Sequence, residues 1–151
     1  MSSDAMWERN GFTISTDPAH LDIDLIWRYL HDESYWANGV PRELVARSIA
    51  ASLNFGLFEG EAGRGGTQIG FGRVVSDFAT FAWLCDVFVL PAYRGRGLAT
   101  WLIGMVVEHP DLQVQRGFAL ATRDAHGLYA KFGWEPVEAG RFMRIARPYG
   151  P

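Results

Sequence analysis

Cysteine and histidine, the residues from which disulfide frameworks and zinc sites are built, are scarce in this chain. The one cysteine, Cys85, excludes an internal disulfide, and the four histidines do not lie near it at the spacing of a metal-binding motif. The sequence therefore predicts a fold stabilised by its apolar core, with no metal site.

Long apolar runs and an excess of basic charge are also missing. No segment reaches the roughly 20 apolar residues of a membrane-spanning helix, and the first residues lack the basic and apolar regions of a secretory signal. With a net charge of −3, nucleic acid is not expected as a main partner. These absences predict a cytoplasmic protein without a membrane partner. The 151 residues, 48% of them hydrophobic, predict a single domain over 1–151.

The most informative stretch of the chain is residues 89–100, where a strand is expected to pass through a tight turn into a helix. Residues 81–90 carry one charge, which is typical of a strand buried on both faces. The apolar residues from Leu98 to Val106 have helical spacing. The glycines and arginines between them would leave free helix N–H groups beside positive charge. The turn therefore predicts a phosphate or diphosphate site, with a plain solvated turn as the alternative.

The rest of the chain predicts a mixed α/β (α+β) order: a strand, two helices, three strands, a helix, a strand, a short helix and two final strands. Residues 1–10 have no clear period and are expected to be a loose lead-in. Asp17 is expected to cap the first helix, with Pro18 at its first position. The predicted strands span 11–16, 55–59, 67–76, 81–90, 118–122, 134–136 and 142–146.

Two motifs in this chain resemble the GNAT N-acetyltransferase superfamily. Arg94, Gly97 and Ala99 fit its acyl-coenzyme A loop, Arg/Gln-x-x-Gly-x-Gly/Ala. Residues 122–134 resemble its C-terminal segment, with Thr122 standing where asparagine is common. The resemblance implies the GNAT fold, a central mixed six- to seven-stranded sheet flanked by about four helices.

The resemblance also implies where acetyl-coenzyme A would bind. Two neighbouring strands are expected to splay apart, so that one strand's backbone is free to bond the pantetheine arm, and the diphosphate rests at the following loop. The implied coenzyme-binding residues are Val87, Phe88, Val89, Arg94, Gly95, Arg96, Gly97, Leu98, Ala99 and Thr100.

Two residues are the catalytic candidates. The resemblance marks Tyr129 as the acid that protonates the leaving thiolate, although its ring could simply pack under the coenzyme. Asp86 is the one charge in its strand and is a candidate base acting through a water; alternatively, it only accepts N–H bonds at a β-bulge. Trp83 stands where the family often has a glutamate, so a base at that position is missing.

The acceptor amine is expected beside the segment that joins the first two helices. Glu33, Tyr35 and Trp36 are acceptor-binding candidates there, and Arg73 could reach the same pocket; core or lid packing and an exposed strand charge are the alternatives. The predicted function is direct transfer of acetyl to a primary amine, of a small molecule or a peptide. The alternatives are a non-catalytic acyl-coenzyme A sensor and an unrelated phosphate-binding domain. A homodimer paired through a strand near Phe142 stays open.

Overall fold

The computed structural model describes residues 4–150, which form six strands and four α-helices. The strands are β1 Met6–Arg9, β2 Phe12–Ser15, β3 Leu53–Glu59, β4 Thr67–Ser76, β5 Phe81–Val89 and β6 Gly117–Leu120. The helices are α1 Ile23–Asp32, α2 Arg42–Ala50, α3 Leu98–Glu108 and α4 His126–Ala130.

The strands form one mixed sheet in the order β1-β2-β3-β4-β5-β6. The first four pairings are antiparallel, and β6 is parallel to β5 in a register that runs from Phe81 opposite Gly117 to Leu84 opposite Leu120. The connection between β5 and β6 passes through α3, which is the crossover that a parallel neighbour requires.

Two apolar clusters fix the helices on the sheet. One includes Leu102 and Val106 of α3, both fully buried. The other includes Ile26 of α1 and Val45 of α2, packed with Phe71 and Phe88 of the sheet. Burial of each such side chain contributes about 1.5–3 kcal/mol. The two clusters hold α3 and the α1–α2 pair against the strands that border the site described below.

The N-terminal part of the chain corrects two expectations. Of the segment 1–10 expected to be a loose lead-in, residues 1–3 lie outside the described residues and Met6–Arg9 is a strand. The strand forms because Asn10 (φ 51°) and Gly11 (φ 83°) make the left-handed turn that an Asn-Gly pair favours in hairpins. Asp17 caps only the short 3₁₀ turn Pro18–His20, and α1 is capped by Asp22, whose carboxylate accepts the Leu25 N–H at 3.0 Å.

The C-terminal part of the chain corrects a third expectation. Six strands agree with the predicted range, but the predicted strands 134–136 and 142–146 are absent, since no strand follows Leu120 up to residue 150. The Arg141 N–H does bond to the Glu138 carbonyl at 3.1 Å, so the expected turn forms. A two-stranded hairpin without a face to pack on is only marginally stable in water. Met143 is accordingly 95% exposed.

Candidate active site

The sheet opens between β5 and β6, and this gap is the centre of the candidate site. Strand pairing stops at Leu84 and Leu120, so the second half of β5 has no partner strand on the β6 side within residues 4–150. Asp86 lies at the opening with a left-handed backbone (φ 56°), where the register with β4 also shifts. Val87, Phe88 and Val89 follow in β5, beyond its last pair with β6.

The N-terminus of α3 lies at the end of β5. Gly97 is its N-cap residue with φ 75°, Gly95 has φ 80°, and residues 94–97 are exposed. The first intrahelical bond runs from the Trp101 N–H to the Gly97 carbonyl at 3.0 Å, so the N–H groups of Leu98, Ala99 and Thr100 have no partner within the helix. A Cβ on either glycine would meet no atom within 4 Å. This exposed cradle of amides fits a diphosphate.

The two loop arginines, Arg94 and Arg96, both contact other residues of the protein. Arg94 Nε donates to the Val89 carbonyl at 2.9 Å, and its Nη2 donates to the Tyr29 hydroxyl at 3.0 Å. Arg96 lies 5.4 Å from the ring centroid of Tyr93. Arg94 therefore ties the end of β5 to α1, and it occupies one of the carbonyls predicted for the pantetheine arm.

Asp86 is bonded through both carboxylate oxygens. Trp36 Nε1 donates to Oδ1 at 3.0 Å and Arg73 Nε donates to Oδ2 at 2.9 Å. Arg73 also donates to the Ser52 hydroxyl at 3.0 Å. The side chains of Arg73 and Asp86 are 16% and 12% exposed, so Arg73 is not a solvated strand charge. The structure thus brings together three of the predicted site residues.

Tyr129 lies on α4, largely buried at 9% exposure. Burial, with smaller contributions from Tyr35 and Asp124, raises the pKa of its phenol to about 12. The hydroxyl therefore keeps its proton at neutral pH, as a proton donor must. Thr122 accepts the Ala125 N–H at 3.0 Å and supports the turn that precedes α4.

Tyr35 and Glu33 are placed differently from one another. The Tyr35 hydroxyl accepts the backbone N–H of Arg123 at 2.9 Å, and the Arg123 guanidinium carbon lies 3.9 Å from the Tyr35 ring centroid. Glu33 ends α1, where its backbone N–H donates to the Tyr29 carbonyl at 2.8 Å, and it is exposed. Tyr35 therefore bonds to the segment that follows β6. Within the described part of the chain, the Glu33 carboxylate does not contact Asp86.

Sequence reasoning missed several residues of this region. Tyr29, Ser52 and Arg123 enter only through contacts with residues distant in the chain. Tyr149 enters from the C-terminal tail, and its pKa is raised by burial first and then by the charge of Asp86. No local signal in the sequence marks any of these four.

The chemistry open to Cys85 is limited. Burial raises the pKa of its thiol to about 12, with Arg73 lowering and Asp86 raising it by smaller amounts. The thiol therefore stays protonated at neutral pH, which argues against an acyl-cysteine relay.

Comparisons with known proteins agree with this geometry. Residues 54–136 match the family described as Acetyltransferase (GNAT) domain. A candidate acetyltransferase of Gibberella zeae, FG08082, is 32% identical over 143 residues, covering 83% of this chain and 79% of that protein. A candidate GNAT-family acetyltransferase from Xanthomonas campestris pv. campestris has a crystal structure with 49% identity and a TM-score of 0.81, covering 91% of this chain and 94% of that chain.

A more distant structure shows the same fold. The Clostridium acetobutylicum protein described as an acetyltransferase with acetyl-CoA has a TM-score of 0.60 at 16% identity, covering 82% of this chain and 86% of that chain. The mixed sheet with its open gap is thus the GNAT fold. The chain belongs to the GNAT acetyltransferase family, whose general activity is acetyl transfer. Between residues 4 and 150, no helix is long and apolar enough to cross a membrane.

Proposed function

We propose that this protein is an acetyl-coenzyme A dependent N-acetyltransferase, formed by one domain over residues 1–151, that transfers acetyl directly to a primary amine in a ternary complex. The observation that carries this proposal is the open half of β5, which has the α3 N-terminus at one end and whose Val89 belongs to the same apolar cluster as Tyr129. Family membership supports acetyl transfer in general.

The residues around the gap fit the coenzyme. The amides at the start of α3 offer an anion site for the diphosphate, and the free edge of β5 offers N–H and C=O groups to an amide-bearing arm. When bound, acetyl-coenzyme A supplies an acetyl thioester, whose carbon–sulfur bond is exchanged for a carbon–nitrogen bond. The Clostridium acetobutylicum structure of the same fold was solved with acetyl-CoA, which supports this choice.

Two side chains handle protons in the proposed mechanism. Tyr129 Oη holds a proton for the departing sulfur. Asp86 accepts the proton that the amine loses, through a water, using lone pairs not taken by Trp36 and Arg73. The acceptor would lie against Tyr35 and Trp36, which are 46% and 40% exposed. Glu33 and Arg73 complete the proposed acceptor-binding set.

A second candidate is an acyl-coenzyme A sensor without catalysis. It is favoured by one observation: both oxygens of Asp86 are already bonded, which is also what a purely structural aspartate would show.

The experiment is release of thiol from acetyl-coenzyme A with a broad panel of primary amines. We expect turnover with at least one amine, and Tyr129→Phe should lower kcat about a hundredfold while coenzyme Kd stays unchanged, a size typical of losing one general acid. Tight coenzyme binding with no transfer to any amine would favour the sensor. Full activity of Tyr129→Phe would remove that residue from the acid role.

We also propose that the protein is a cytoplasmic homodimer. Within the described chain, the outer edge of β6 has no partner strand and residues 142–146 form no backbone hydrogen bond. Phe142, Met143 and Ile145 are 58%, 95% and 76% exposed. A second copy could pair this segment with β6 reciprocally, which closes the assembly at two. Light scattering should show a dimer that a stop after residue 139 converts to a monomer; a monomeric full-length chain would contradict the proposal.

A further inference from the structure

The loop between α1 and α2 has a fixed base and an exposed tip. At its base, Ser34 is 3% exposed, and its hydroxyl donates to the Leu30 carbonyl at 2.6 Å and accepts the Ala37 N–H at 3.1 Å. At its tip, Tyr35 and Trp36 stand edge to face with ring centroids 5.1 Å apart. Because the base is anchored in the core, the tip can hold other parts of the protein in place.

The tip contacts both sides of the gap. Trp36 bonds to Asp86 on β5, and Tyr35 bonds to the backbone N–H of Arg123, just after β6. The partners in these two bonds are 50 and 88 residues apart in the sequence. The loop therefore bridges Asp86, within β5, and the segment that follows β6.

Arg123 lies in the turn that begins α4, the helix of Tyr129. Thr122 accepts the Ala125 N–H, and the Ala125 carbonyl accepts the Tyr129 N–H at 3.4 Å. The helix has five residues, and a helix this short is not stable alone, because nucleation costs more than so few hydrogen bonds return. It needs an outside anchor, and the Tyr35 hydroxyl bonds to the turn that starts it.

We propose that Tyr35 is a positioning residue: by holding the Arg123 N–H, its phenol oxygen fixes the turn before α4 and so keeps the Tyr129 hydroxyl at the gap. This role rests on the proposed function of Tyr129 as the acid. It goes beyond the acceptor-wall role proposed for Tyr35 above, since it acts on kcat through another residue.

The test uses Tyr35→Phe, which keeps the ring beneath the Arg123 guanidinium and removes only the oxygen. We expect hydrogen exchange at the Arg123 amide to accelerate about tenfold, and kcat to fall about tenfold, the effect of one ordinary hydrogen bond. The KM values for coenzyme and amine should stay unchanged. In a Tyr129→Phe background the same substitution should leave the residual kcat unchanged, because the group being positioned is gone.

A matched control comes from the same loop. Asn38 is exposed, and its side chain donates to the His31 carbonyl at 2.9 Å, away from the gap. Asn38→Ala also removes one hydrogen bond from this loop, and we expect neither kcat nor Arg123 exchange to change.

Distinct outcomes separate this inference from the proposed function. If Tyr129→Phe loses kcat but Tyr35→Phe does not, the positioning role alone is overturned. A rise in amine KM at unchanged kcat would make Tyr35 an acceptor contact instead. A further loss of kcat in the double variant would show that the two tyrosines act independently. Full activity of Tyr129→Phe would overturn the acid assignment and the positioning role with it.

Discussion

The two parts of the candidate site, the proposed coenzyme side and the proposed acceptor side, are built from different kinds of chemical group. On the proposed coenzyme side, the groups on offer are backbone amides, presented by glycines with positive φ at an exposed loop. On the proposed acceptor side, the groups are side chains that come from distant segments and bond to one another, with Asp86 between Trp36 and Arg73.

This difference has consequences for substitution. A backbone site depends on loop conformation, so it is sensitive to φ and tolerant of side-chain identity nearby. A site of mutually bonded side chains depends on each partner, because removing one leaves another buried without its bond. The coenzyme side should therefore respond to substitutions in binding affinity, and the acceptor side in stability and catalysis.

The largest effect is expected at Gly97. In Gly97→Val a β-branched residue must adopt φ near 75°, which is strained and turns the first amides of α3 away from a common point. We expect coenzyme Kd to rise about a hundredfold, equivalent to roughly 3 kcal/mol, measured by calorimetry.

Gly140→Val is the matched control for Gly97→Val. Gly140 has φ 82° and is also exposed with open space at its Cβ, but it lies in the C-terminal tail. Gly140→Val should lose about as much stability as Gly97→Val but keep the wild-type affinity for coenzyme. Equal affinities in the two variants would show that backbone conformation at Gly97 does not control binding.

The acceptor side is tested by Arg73→Met. This change leaves the Asp86 carboxylate, 12% exposed, without its counter-ion, and we expect the free energy of unfolding to fall by about 3 kcal/mol in urea titrations. Arg42→Met breaks the exposed pair with Asp24, where the side chains are 49% and 57% exposed, and should cost about 0.5 kcal/mol or less. Equal losses would mean that burial does not strengthen the inner pair.

The same contrast explains what the sequence could predict. The proposed coenzyme loop depends on neighbouring residues, so a local motif could point to Arg94, Gly97 and Ala99. Asp86 stood out as one charge in an apolar strand, but its partner Trp36 is 50 residues away. The bond of Tyr35 to Arg123 joins residues 88 apart, and no local pattern encodes it.

Two errors in the fold have physical reasons of their own. The Asn10–Gly11 pair is a hairpin signal, but the short segment before it shows no alternation from which a strand could be predicted. The segment near Phe142 has apolar residues typical of a strand, yet strand formation also needs a partner edge, which local composition cannot supply.

The smallest effect is expected for the loss of stability at alkaline pH that is linked to Tyr129. Its pKa is raised from 10.0 to about 12, chiefly by burial, so above pH 10 the unfolded chain releases this proton more readily than the folded one. The stability linked to this tyrosine is fully present below pH 10 and is lost as pH rises toward 12. We expect a loss of about 2 kcal/mol over that interval in the wild type relative to Tyr129→Phe.

The stability loss of the wild type is measured relative to that of Tyr129→Phe because Cys85 contributes equally to both proteins. The pKa of Cys85 is also raised to about 12 by burial. Urea titrations at pH 9, 10 and 11 give the unfolding free energy of each protein and hence its slope against pH. A wild type that loses no more stability than Tyr129→Phe would mean that the phenol is hydrated in the folded protein. That result would place Tyr129 among the solvated groups of the gap, where it would ionise with the bulk solution and would no longer be held as a proton donor by burial.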